Sequence, residues 1–398
     1  MRKRKVFLMT AFFVAMFFVS ACAQPVKAPF SSEGSLESVE EPQYSTVRVM
    51  AVGDNLIHNV IWQQAEKRDN PEKKYDFSYV YEAVAPIIQK SDVAYINQET
   101  VLAGKYFEPS NFPRFCTPTE MGDCLLEVGF NVFNHANNHT LDKGAKGVQA
   151  TLEYWDTKNG SDICVIGMYK SEEDLYSCKY IEKNGIKIGF LGITEHTNGI
   201  PVPKNMEEKI VYTNQEEVIK KCVEIMRAEC DAVMVSVHWG EENYSERTVT
   251  ALTSTEKALS QKLADWGVDV IIGTHPHVIQ PVKWLDRKDG GKTLCVYSLG
   301  NFVSAMNGPC NMLGGLIDFD VRKNISTGDI SVENVAYIPL VTHYGRGMSN
   351  VRVYPLKDYT DELASSHGVK SKTYAGFSKK YLEKVVSDNI EEEYLIEK

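Results

Sequence analysis

The chain has 398 residues, 43% of them hydrophobic and 24% charged, and a formal net charge of −10. That composition excludes a disordered polyelectrolyte and supports a body able to bury a sizeable core, as one large domain or two small ones. The negative balance excludes nucleic-acid binding by bulk charge, so an anionic substrate would need a local positive source such as a metal ion.

At the amino end Arg2, Lys3, Arg4 and Lys5 precede an apolar run from Val6 to Val19. The run is shorter than the roughly 20 residues a helix needs to cross a bilayer, and it suits the apolar region of a signal peptide. It ends in Val19-Ser20-Ala21-Cys22, a pattern similar to the lipobox before a lipidated cysteine. Residues 1–22 are therefore expected to be a lipoprotein signal peptide, with Cys22 carrying a membrane lipid anchor. An uncleaved signal anchor is the alternative, and either one puts the body at the extracytoplasmic face of the cell membrane. Removing residues 1–21 takes away four basic residues and no acidic one, so −10 becomes −14. Residues 23–45, rich in Pro, Ser and Glu without periodicity, read as a disordered tether reaching roughly 25–30 Å.

From Val47 onward, apolar runs alternate with amphipathic stretches. Strands are predicted at Val47–Val52, Asp92–Ile96, Phe130–Phe133, Ile163–Ile166, Ile186–Ile193, Ala232–Val237, Val268–Ile272 and Leu294–Ser298. Helical patterns lie around 78–90, 119–128, 146–157, 215–229 and 254–266. Nearly all-apolar strands alternating with helices predict an α/β fold whose sheets are covered by helices. After about residue 306 come more polar strands. A charged helix near 374–396 follows, with Phe377, Tyr381, Val385 and Val386 on one docking face.

Of the nine cysteines, Cys22 is assigned to lipid. The other eight have irregular spacings and no Cys-x-x-Cys pair, and Cys164 and Cys295 sit inside apolar runs. Free thiols are preferred to a disulfide framework on that pattern, and a zinc ribbon is not expected.

Chemistry gathers where the predicted strands stop. Gly53 leads to Asp54, with His58 following; Ile96 leads to Asn97-Gln98-Glu99. Phe133 leads to Asn134-His135-Ala136-Asn137-Asn138-His139 and then Asp142. Glu195-His196, His238-Trp239-Gly240, Thr274-His275-Pro276-His277 and Gly300-Asn301 follow later runs. Seven of the nine histidines (58, 135, 139, 196, 238, 275 and 277) fall at such points. Ligands in open α/β sheets collect at the carboxyl ends of strands. Each motif alone has a plainer reading: Asp54 as a helix cap, Asn138 as a turn former, a single histidine as a satisfied loop residue. Together they point to a metal site, and the proline in His275-Pro276-His277 lets two imidazoles in extended chain face it. Nitrogen and oxygen ligands without thiolate favour a divalent transition metal, Mn, Zn or Fe.

The set Gly53-Asp54, Asn97-x-Glu99, Asn137-Asn138-His139-x-x-Asp142, His238-Trp239-Gly240, His275-Pro276-His277 and Gly300-Asn301-Phe302 resembles the CapA family over roughly residues 46–305. These are capsule or poly-γ-glutamate biosynthesis proteins, also called PgsA, related to calcineurin-like metallophosphoesterases. The resemblance implies a sandwich of two β-sheets flanked by helices, with residues 306–398 completing the domain and the site at the strand carboxyl ends. It also implies Asp54, Glu99, Asn138, His238, His275 and His277 as ligands to one or two ions. His139 would be the phosphate-facing acid, with Asp142 beside it. His58, Asn97, Asn301, Glu195 and His196 would bind substrate or support the ligands. This sequence departs from the phosphoesterase pattern in lacking Asp-x-His at Asp54, in using Glu99 for the usual bridging Asp, and in reading Asn-Asn-His-Thr for Gly-Asn-His-Glu. Those departures put the second metal position in doubt. The implied chemistry is phosphoester hydrolysis, with His139 protonating the leaving oxygen. An anionic polymer or a phosphorylated, lipid-linked molecule would be the substrate. The alternative is a non-catalytic subunit of a membrane polyglutamate synthase or export complex, since fold kinship does not establish activity.

Overall fold

The computed structural model describes residues 43–158, 160, 162–242, 251–372 and 374–395. Cys22, the leader and almost all of the tether lie outside them. Among the described residues no helix is long and apolar enough to cross a membrane.

Two β-sheets face each other across the largest hydrophobic cluster. The first sheet begins with four parallel strands: β1 (Tyr44–Asn55), β2 (Val93–Asn97), β3 (Val132–Asn134) and β4 (Cys164–Ile166). The second holds β5 (Tyr180–Lys183), β6 (Ile186–Thr194), β7 (Ala232–His238), β8 (Val270–Thr274), β9 (Val282–Asp286) and β10 (Lys292–Val296). Its β6, β7, β8 and β10 run parallel, and β5 and β9 close the edges antiparallel. The chain then returns to the first sheet through β11 (Asn301–Val303), β12 (Leu313–Asn324), β13 (Ile330–His343) and β14 (Arg352–Pro355). Here β12 runs antiparallel to β1 from Tyr44↔Asn324 to Val52↔Leu316, so residues after 306 share a sheet with the first strand.

The sequence periods explain the layers. Every residue of β7 and β8 is buried, which is why both read as unbroken apolar runs. Met234, Val270 and Ile272 face the first sheet, where Tyr95 of β2 hydrogen-bonds Ser236 of β7. Val233, Val235, Val237 and Ile271 face outward, beneath Ile219, Val223 and Met226 of the helix Glu216–Glu229 and Leu259 and Leu263 of the helix Ser254–Asp265. Leu382, Val385 and Val386 of the helix Lys379–Asn389 join the main cluster with Phe377, and Tyr381 packs against it.

Some elements differ from expectation. The stretch expected as one helix over 78–90 is two short ones, Ser78–Tyr81 and Ala85–Ile88, because Pro86 cannot continue a helix but can sit in a first turn. Tyr44 and Ser45, assigned to the tether, already pair with β12. Asn301 opens β11, parallel to β1 in the first sheet, rather than ending the strand before it.

Candidate metal centre

The parallel strands β1, β2, β7 and β8 end at one rim. Asp54 pairs in register with Asn97 and with Asn301, and His238 pairs with Thr274. A Cβ on Gly53 would lie 1.9 Å from the Gly300 carbonyl oxygen, so only glycine lets β1 and β11 approach closely enough to set Asp54 beside Asn301.

At that rim Asp54, Glu99, Asn138, His238, His275 and His277 are all buried. Asp54 Oδ2 lies 3.2 Å from His277 Nδ1, and Glu99 Oε1 lies 3.7 Å from His277 Nε2 and 3.8 Å from His238 Nε2. His238 Nε2 is 3.0 Å from both Asn138 Oδ1 and His275 Nδ1. Among the described residues two triads have candidate ligand atoms within 4.8 Å of one another: Asp54–Glu99–His277 and Glu242–His275–His277. They share His277, an arrangement that can hold one ion or two neighbouring ones.

The electrostatics suit a cation. Glu99 is fully buried and, among the described residues, neither carboxylate oxygen has a hydrogen-bond partner. Burial, then repulsion from Asp54, pushes its carboxyl well above the usual range. His238 and His275 are held well below theirs by burial and by neighbouring imidazoles. Burial alone would lower His277 too, but the Glu99 and Asp54 carboxylates overcome it and raise it to about 9. The His238 and His275 imidazoles, the Asn138 amide oxygen and the carboxylates, with no thiolate among them, form a donor set suited to a divalent metal ion, and His277 would give up its proton to join it. An orphaned buried carboxylate among them fits a bound cation.

His139 stands apart from the triads, its Nδ1 2.8 Å from Asp142 Oδ2 and its ring edge-on to Phe115. Asp142 Oδ2 also accepts the Phe115 N–H at 2.6 Å. Asn97 Nδ2 donates to Asp54 Oδ1 at 2.7 Å, and Asn301 Oδ1 lies 3.0 Å from His277 Nδ1. The Glu195 carboxylate accepts the Gly240 N–H at 2.8 Å, so it braces the turn after His238. His196 lies edge-on to His275, 5.0 Å between ring centroids. His58 Nδ1 accepts the Ala305 N–H, and burial lowers its pKa to about 4.

Three expectations change. His275 and His277 are not extended: both have positive φ, 99° and 56°, which is uncommon for any residue but glycine. The chain reverses at each, and this reversal aims both rings at the rim. His135 follows β3 but turns away, and its Nε2 accepts the Trp155 indole N–H at 2.8 Å. Glu242 was missed. Its Oε1 accepts from Asn138 Nδ2 at 3.2 Å, and it completes the second triad. The signal was present in Gly240-Glu241-Glu242, but the sequence alone does not say which acid turns inward.

Residues 48–306 match the family model described as bacterial capsule synthesis protein PGA_cap. The chain belongs to this family. The stretch shared with PGA_cap contains every residue of both triads. Among curated relatives, the chain is 28% identical over 258 residues to a capsule biosynthesis protein CapA of Bacillus anthracis, covering 63% of this chain and 60% of that protein. It thus spans less than two thirds of that relative's length. It is 26% identical over 296 residues to the PGA biosynthesis protein CapA of Bacillus subtilis (strain 168), covering 74% of this chain and 73% of that one. Solved structures similar to this PGA_cap chain include a putative 5'-nucleotidase from Staphylococcus aureus, with a TM-score of 0.46 at 14% identity, covering 85% of this chain and 58% of that one. Another is the calcineurin-like phosphoesterase YfkN from Bacillus subtilis, with a TM-score of 0.42 at 13% identity, covering 86% and 99%. Membership in PGA_cap rests on the sequence match rather than on these likenesses.

Proposed function

We propose that this PGA_cap protein acts outside the cytoplasm, lipid-anchored at Cys22, in making capsule or poly-γ-glutamate, and that its rim holds one or two divalent transition-metal ions for phosphoester hydrolysis. The observation that carries the metal reading is Glu99, a fully buried carboxyl with no hydrogen-bond donor on either oxygen among the described residues. Leaving such a group unpaired costs several kcal/mol, roughly, and a cation coordinated together with Asp54 and His277 removes that cost.

A bound ion would supply Lewis acidity and the positive charge this acidic body lacks. The remaining work falls to side chains. Asp142 only accepts, so it fixes the proton on His139 Nδ1 and steadies the imidazolium, leaving Nε2 to hand a proton to a leaving oxygen. Asn97 and Asn301 orient Asp54 and His277 from behind.

The relatives are named for biosynthesis, which favours a second reading, a non-catalytic subunit of a membrane polymer synthase. The deciding experiment measures metal content of the purified protein before and after Mn or Zn is added, then assays chromogenic phosphomonoesters and phosphodiesters. Metal uptake with hydrolysis that vanishes in His139→Ala supports the catalytic reading. A loaded protein inert on every ester, with capsule formation intact in a His139→Ala strain, supports the second. A protein that never takes up metal removes both triads from the account.

A further inference from the structure

Cys178 and Cys230 stand out among the thiols. The other six described cysteines are buried, whereas these two are half-buried, and their sulfurs lie 3.2 Å apart across 52 residues of sequence. Cys178 sits between the short helix Glu172–Tyr176 and the edge strand β5. Cys230 ends the helix Glu216–Glu229, two residues before β7. Cys178 also lines a cleft of about 290 Å³, with Lys170, Asp174 and Lys179 on its walls.

We propose that Cys178 and Cys230 form an oxidisable dithiol, entered at Cys178 from this cleft, that closes into a disulfide on meeting a disulfide oxidant. A disulfide needs sulfurs about 2.05 Å apart, so a little more than about 1 Å of sulfur movement closes the bond. The hydrogen bond between the two sulfurs, with Lys187 and Lys179 nearby, holds the Cys178 thiol below its ordinary range, while the same bond pushes Cys230 up. Of the two, Cys178 lines the cleft and Cys230 does not, so an external disulfide meets Cys178 first. Its sulfur attacks one sulfur of the external disulfide, whose S–S bond breaks and releases one thiolate. Cys230 loses its proton to solvent, attacks the Cys178 sulfur and expels the second thiolate. Two protein thiols are oxidised by two electrons, and the oxidant is reduced to two thiols. The bridge would fasten β5, which pairs with β6 alone, to the helix behind the sheet.

The test incubates the reduced full-length chain with oxidised glutathione, alkylates it and maps its peptides without reductant. The expected product joins the Cys178 and Cys230 peptides, leaves the six buried thiols alkylatable after unfolding, and raises the melting temperature by about 5 °C, as closing a loop of this length should. In Cys230→Ser, which lacks the second thiol, glutathione should remain on Cys178. In Cys178→Ser, Cys230 should stay reduced. Full alkylation of both cysteines in the treated wild type, or a lasting glutathione adduct on wild-type Cys178, would overturn the proposal. An adduct that forms on Cys230 but not on Cys178 would overturn the order of attack. The wild-type map decides the pairing even where a serine variant does not fold.

Discussion

His277 belongs to both triads, so its loss should cost more than the loss of a residue in one. His277→Ala is expected to lower bound Mn or Zn at least 10-fold relative to wild type, whereas Glu242→Gln should retain part of it, both read by elemental analysis. Circular dichroism should show both variants folded, since these side chains sit in loops beyond the strand ends and outside the hydrophobic clusters. The His139–Asp142 pair makes a separate claim. Asp142→Asn replaces an acceptor by a group that can also donate, so any hydrolysis should fall roughly 10²- to 10⁴-fold while metal content stays put. Equal losses of metal and rate would assign Asp142 to the metal instead. The six candidate ligands named from the sequence do share one rim, because strand ends converge whatever the details of their loops. Glu242 and the left-handed turns at His275 and His277 were not legible. Both depend on how loops fold back over the rim, which no local pattern records.

At the level of elements, the helix Ser254–Asp265 offers a clean measurement. Thr253 Oγ1 accepts the Glu256 N–H, and the Glu256 carboxylate accepts the Thr253 N–H, a reciprocal cap. Thr253→Ala should cost about 1 kcal/mol in urea unfolding, with little change in the slope of the transition. A loss near zero would mean that tertiary packing alone holds this helix start. The buried central strands were readable as apolar runs. The edge strands β5 and β9 were not, since exposed and half-buried residues interrupt Tyr180–Lys183 and Val282–Asp286 and leave no continuous signal. The helix Asn59–Glu66 was missed for a similar reason: only Ile61 and Ala65 are buried.

For the whole molecule, the pairing of β12 with β1 matters most. A chain ending at residue 306, where the family match ends, would leave β1 without its antiparallel partner along nearly its full length. Such a truncation should give insoluble or protease-sensitive protein; a soluble product with a cooperative melt would contradict that. Acid should also weaken the fold. His343 and His367 lie together under the carboxyl-terminal segment, and burial lowers them to about 4 and about 3. Unfolded, each would take a proton near pH 6.5. Above that pH neither state gains a proton. As pH falls below it the unfolded chain protonates first, so stability drops steadily until the folded values are reached. Melting temperature against pH should slope downward from about 6.5 towards 4, and less steeply in His367→Gln. Equal slopes would show that other groups govern the acid response.

Strand β1 also sets a direction. The chain enters it at Tyr44 and delivers Asp54 at its other end, about 33 Å away at roughly 3.3 Å per residue. Tyr44 and the candidate ligands thus stand a full strand's length apart, joined by a single rigid element of the first sheet.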